Sequence, residues 1–61
     1  MNTMNAHYLG QSTREIAHGA HVTLLGAPWR AGGYLYIEVR AGSSRTTVRV
    51  SDLDCAARLA R

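Results

Sequence analysis

Between Tyr34 and Val50, outward and inward residue types alternate along two arms of the chain. The first reads Tyr34-Leu35-Tyr36-Ile37-Glu38-Val39-Arg40 and the second Arg45-Thr46-Thr47-Val48-Arg49-Val50, with Ala41-Gly42-Ser43-Ser44 between them. A period of two, enrichment in β-branched and aromatic residues and a short Gly/Ser joint predict a β-hairpin. Because successive strand residues point to opposite faces, Leu35, Ile37 and Val39 share one side, with Val48 and Val50 from the second arm. The other side carries Tyr34, Tyr36, Glu38, Arg40, Thr47 and Arg49. One face is expected to build a core and the other to meet a partner.

The pattern is weaker elsewhere. Residues 1–6 are polar and expected to be disordered. His7-Tyr8-Leu9 reads as a short edge strand ended by Gly10, Gln11-Ser12-Thr13 as a polar loop, and Arg14-Glu15-Ile16 as the start of another extended piece. His18-Gly19 is a turn signal. His21 to Leu25 then reads as a strand with Val22 and Leu24 inward. Residues 26–33 hold Pro28 and three glycines, which predicts an eight-residue loop without regular structure, presenting Trp29 and Arg30. Loops of that length on β scaffolds often carry function. After the hairpin, Ser51 is placed to cap a short helix over 51–60, with Asp54 three residues on and Asp52 near the positive end of the helix dipole. Leu53, Ala56, Ala57 and Ala60 recur there at helical spacing, with Leu59 beside them. The sum is one mainly all-β domain over 1–61. It has four or five short strands in a small barrel or curled antiparallel sheet, and a short C-terminal helical turn. Closing the sheet would also solve the exposed-edge problem of a short all-β chain.

Composition sharpens this picture. A chain of 61 residues has room for one core, and so small a domain is marginal without a staple or a partner. The single cysteine, Cys55, allows no internal disulfide and suits a reducing compartment. A second copy of the chain or a firmly held partner is therefore expected. The opening residues lack a basic start followed by an apolar run, and no stretch approaches the roughly 20 apolar residues of a membrane span. The expectation is a cytoplasmic protein with no membrane contact. Net charge is +3, and all seven basic residues are arginine. Codons rich in G and C account for arginine in place of lysine, while the guanidinium fork also suits carboxylates and phosphates.

Candidate chemistry is sparse. His18 and His21, with His7 or Cys55, are a conceivable zinc set, but no second ligand pair completes it. Cys55 lies in an Ala-rich turn without a positioned base, where a small buried hydrophobe is the expected role. Glu38 shares a face with Tyr36 and Arg40, which predicts a cross-strand ion pair with Arg45 or Arg49. Asp52 and Asp54 are explained by the helix start, and Gly32-Gly33 is not followed by a phosphate-loop pattern. No catalytic residue, metal or cofactor is expected, and the protein is read as a non-enzyme. What remains is a surface of Trp29, Arg30, Tyr34, Tyr36, Arg40 and Arg49. These residue types dominate binding hot spots, and they also stack bases and hold phosphates on β platforms. The competing expectation is that Trp29, or one of the tyrosines, covers an open side of the core.

Residues 16 to 59 resemble an SH3-like small barrel: a strand at His21–Leu25, a loop holding Trp29, the Tyr34–Val50 hairpin and a helical turn at Ser51–Leu59. The plasmid-type dihydrofolate reductases share that plan. Where their active site has a Val-Gln-Ile-Tyr run, this chain has Thr47-Val48-Arg49-Val50-Ser51, without the Gln or the Tyr, so no catalytic residue carries over. In size and style the chain also resembles phage and mobile-element accessory proteins, including anti-CRISPR inhibitors. That resemblance implies a partner in a bacterial host cell, a protein or nucleoprotein complex of its defence machinery. Direct binding of nucleic acid by the same face is the alternative, and an oligomeric reductase the third.

Overall fold

The computed structural model describes residues 4–56. It is an antiparallel sheet of five strands: β1 (Asn5–His7), β2 (His21–Leu24), β3 (Trp29–Ala31), β4 (Tyr34–Ala41) and β5 (Ser44–Arg49). A 3-10 turn follows at Val50–Asp52. The sheet is not closed, so an open antiparallel sheet holds rather than the barrel. No helix among the described residues is long and apolar enough to cross a membrane.

β4 is the hub. Along one edge it pairs with β5 over six residues, from Tyr36↔Arg49 to Ala41↔Ser44. Its other edge is shared: β2 pairs at Thr23↔Arg40 and Leu24↔Val39, and β3 pairs from Trp29↔Tyr36 to Ala31↔Tyr34. β2 and β3 thus form one broken strand. Between them residues 25–28 oppose only Ile37 and Glu38, a local excess that bends the sheet. Leu25 N–H still donates to the Glu38 carbonyl at 2.9 Å, while Pro28, which has no N–H, sits in the gap. Both hairpin turns have two residues. Gly32 and Gly33 have φ of 57° and 85°, as a turn with both central residues left-handed requires. Gly42 has φ of 63° and Ser43 is not left-handed, which matches a turn with glycine first.

The expectation of a structureless loop over 26–33 is therefore corrected. Trp29–Ala31 is a strand, because β4 has a free edge beside it and the Gly32-Gly33 pair makes a tight reversal. The start of the chain also differs from expectation. β1 begins at Asn5, inside the stretch expected to be disordered, because Ala6 is buried and Asn5, Ala6 and His7 pair with Thr23, Val22 and His21. The edge strand expected at His7–Leu9 is displaced toward the N-terminus, and Tyr8 is buried.

The core gathers Ala6, Tyr8, Ile16, Val22, Ile37, Val39, Val48, Val50, Leu53 and Cys55, with Leu24 and Leu35 packed against it. The hairpin face assigned from alternation is the one that is buried. Ile16 reaches the core from a bend rather than a strand, held by Thr13. The Thr13 amide donates to the Ile16 carbonyl at 2.7 Å, and Thr13 Oγ1 accepts from the Ile16 amide at 3.2 Å. The Tyr8 hydroxyl donates to the Gln11 carbonyl at 2.8 Å, so the ring is buried with its polar end satisfied.

Of the helix expected over 51–60, the described residues show the 3-10 turn and one helical residue, Ala56, and 57–60 lie outside them. Ser51 lies inside that turn and does not cap it; Arg49 precedes it, with no side-chain cap. Asp54 turns to the first strand instead, accepting from the His7 amide at 2.9 Å and from His7 Nδ1 at 3.0 Å. An isolated bridge between Tyr8 and Leu53 and the bond from Leu9 N–H to the Asp52 carbonyl tie this segment to the chain start. Ties of high sequence separation hold Asp52, Leu53 and Asp54, where an isolated two-turn helix would be marginal by itself.

Candidate functional site

Cross-strand partners lie on the same face of a sheet, so the register decides which side chains meet. Trp29 on β3 is opposite Tyr36 on β4, which is opposite Arg49 on β5. Tyr34 lies two residues before Tyr36 on the same face. The four form a continuous cluster on the side away from the core. The Trp29 and Tyr36 rings are stacked, with centroids 6.2 Å apart and planes 28° from parallel. Tyr34 meets Tyr36 edge to face at 6.5 Å and 64°. The Arg49 guanidinium carbon lies 4.1 Å from the centroid of the Tyr34 ring, a cation–π contact.

Trp29 is 45% exposed and Tyr34 49%. The expectation that Trp29 covers the core is thus resolved in favour of the surface. Tyr36, between them and partly covered by both, is half-buried. Each ring is held by another ring or by a cation, so the cluster is fixed before any ligand arrives, which lowers the entropy lost on binding.

Arg40 belongs to the same face, two pairs along β4, opposite Thr23 and Arg45. The ion pair expected of Glu38 forms with Arg45, at 3.2 Å between Oε2 and Nε, and not with Arg49, whose guanidinium is taken up by Tyr34. Both partners are well exposed, so the pair contributes little to stability. Among the described residues neither Arg40 nor Arg49 has an ion pair to a carboxylate. The face is therefore aromatic at one end and positive at the other.

Arg30 does not join this face. Its cross-strand partner is Leu35, which packs toward the core, so Arg30 projects on the opposite side of the β3–β4 hairpin. A loop would have left its direction open, whereas a strand fixes it by parity. Sequence reasoning could have excluded Arg30 only by recognising Gly32-Gly33 as a two-residue turn.

The remaining titratable groups are separate. His7 and His21 meet edge to face at 5.5 Å on β1 and β2, with Asp54 beside His7. His18 is elsewhere: its Nδ1 lies 3.0 Å from the Gly10 carbonyl and its amide donates to Ser12 Oγ at 2.8 Å. Among the described residues no three His, Cys, Asp or Glu side chains converge as a metal site. Cys55 is buried in the core. No protein-family model matches the chain, and neither the curated proteins nor the solved structures yield a match.

Proposed function

We propose that the protein is a small interaction module that docks on a larger protein or nucleoprotein complex through Trp29, Tyr34, Tyr36 and Arg49, with Arg40 at the margin. The observation that carries this reading is the packed aromatic cluster standing in solvent on the face opposite the core. Folding leaves nearly half of Trp29 and of Tyr34 exposed, and covering about 100 Å² of such surface contributes about 2.5 kcal/mol. Arg40 and Arg49 add positive charge to the rim, which suits carboxylates or phosphates. An inhibitor of a bacterial defence complex, acting in the cytoplasm of a phage host, is the specific form of this reading.

The test is capture of a partner from such a host by the intact chain and by a variant carrying Tyr36→Ala and Arg49→Ala. The expected result is a folded variant that no longer captures it. Retained capture would overturn the reading.

Nucleic-acid binding is the second reading, favoured by the stacked Trp29–Tyr36 pair, whose geometry suits a further base on the exposed Trp29 face. Single-stranded DNA or RNA affinity that falls steeply as salt rises would support it over the first.

A further inference from the structure

β5 has a neighbour on one side only. It pairs with β4 along all six of its residues, and among the described residues nothing pairs with its other edge. Residues of an antiparallel strand direct their N–H and C=O groups alternately to one neighbour and to the other. The two-residue turn makes Ala41 and Ser44 a hydrogen-bonded pair, so Arg45, Thr47 and Arg49 direct their backbone groups away from β4. The phase is checked from the far side, where the Glu38 carbonyl, opposite Thr47, accepts from Leu25 and so points away from β5. Outside the ladder, no backbone bond among the described residues uses the N–H of Arg45, Thr47 or Arg49 or the C=O of Arg45 or Thr47, while the Arg49 carbonyl opens the 3-10 turn at Val50–Asp52. This edge also opens on a groove of about 400 Å³, whose far wall includes Thr13, Glu15 and Ile16. Proteins usually blunt a bare edge with proline, a bulge, shortness or charged side chains. Of these β5 has only the charges of Arg45 and Arg49, and it is twice as long as β1 or β3, six residues against three.

We propose that β5 receives an extended segment of a partner protein as an added antiparallel strand, with carboxylates at the positions facing Arg45 and Arg49. The charge selects this occupant over a second copy. In the self-pairing that uses all three outward positions, Thr47 to Thr47, each Arg45 would lie opposite an Arg49, and like charges directly opposed destabilise a strand pair. The Thr46-to-Thr46 register that avoids this uses the outward groups of Arg45 and Thr47 alone. An acidic strand gives Arg49 a carboxylate beside its contact with Tyr34, while its backbone uses the free groups of β5. It adds a second carboxylate to Arg45, whose Nε already pairs with Glu38 and whose other guanidinium N–H groups remain donors. Short side chains at the intervening positions fit beside Thr46 and Val48, on the groove side. The inference rests on the reading of the protein as a partner-binding module, and adds a second, backbone-directed contact beside the aromatic face.

The probe is a short acetylated peptide in which glutamate alternates with threonine, added to the full chain under amide-exchange NMR. The exchange of the Arg45, Thr47 and Arg49 amides is expected to slow at saturating peptide, while Ser44, Thr46 and Val48, already paired, change little. Glutamates placed opposite the arginines direct their own N–H groups to β5, so N-methylation at the glutamates should weaken binding about tenfold or more. N-methylation at the threonines should spare it, and replacing glutamate by lysine should remove it. Binding unaffected by glutamate N-methylation would overturn the proposal, showing charge attraction alone. So would no binding, or edge amides protected in the free chain in proportion to its concentration, which would mark self-pairing. A Trp29→Ala variant that loses its partner but keeps the peptide-induced protection would separate the two contacts. Undiminished partner capture by Trp29→Ala and by Tyr36→Ala, both with Arg49 kept, would instead remove the aromatic reading and leave the strand edge standing.

Discussion

The two faces of β4 are built on one backbone, yet they obey different rules. Ile37 and Val39 are almost completely withdrawn from water, and they meet Val22, Val48 and Val50 in a core that, among the described residues, holds no buried polar or charged residue. Tyr34, Tyr36 and Arg40, interleaved with them, meet rings, a guanidinium and solvent. On the inner face each side chain contributes by leaving water, and a lost methylene leaves a void. On the outer face the side chains hold one another while keeping large surfaces open, so their contribution to folding is small and their capacity for binding is retained. The difference teaches that burial and exposure of large side chains have been separated by parity along a single strand.

The sharpest way to break the comparison is from the inside. Ile37→Ala should cost about 2–4 kcal/mol, a large share of the stability of so small a domain, and circular dichroism should show it substantially unfolded. A variant that folded normally would mean the inner face is not what holds the sheet.

Gly10→Ala probes the same core from a loop. A Cβ there would lie 2.5 Å from the Tyr8 hydroxyl oxygen and 2.6 Å from the adjoining ring carbon, too close without moving a buried ring. The expected loss is about 1–3 kcal/mol, read as a lower urea midpoint.

Trp29→Ala should cost only about 1 kcal/mol, the scale of a cross-strand aromatic pair, while lowering partner binding by far more. A loss of stability as large as that of Ile37→Ala would erase the distinction between the faces. The smallest effect is expected of Glu38→Gln, which removes the exposed pair with Arg45. The change should stay within about 0.5 kcal/mol and vanish in high salt. Thermal denaturation at two ionic strengths would measure it.

Some of these residues could be placed before any coordinates. The hairpin of β4 and β5, its turn at Gly42-Ser43, the burial of Ile37, Val39, Val48 and Val50 and the exposure of the Tyr/Arg face all follow from a period of two sustained over many residues. Val22 and the small buried role of Cys55 were legible for related reasons, one from alternation and the other from apolar neighbours. Glu38 was narrowed to two arginines, because Arg45 and Arg49 flank its direct partner Thr47 and both diagonal neighbours are within reach of a long side chain. Only the contact of Arg49 with Tyr34 made the choice.

The amino-acid order by itself determined the long, locally consistent part of this protein, since an alternating ribbon has one way to separate oil from water. Tertiary structure alone decided the short parts. Trp29–Ala31 is too brief to show a period, and it became a strand because β4 offered an unoccupied edge, which in turn set Trp29 outward beside Tyr36 and Arg30 the other way. Asn5–His7, the burial of Tyr8 and the tie of Asp54 to His7 depend on partners up to 47 residues distant. Contacts of that separation leave no periodic trace in the chain, because what selects them is the space left by elements folded elsewhere.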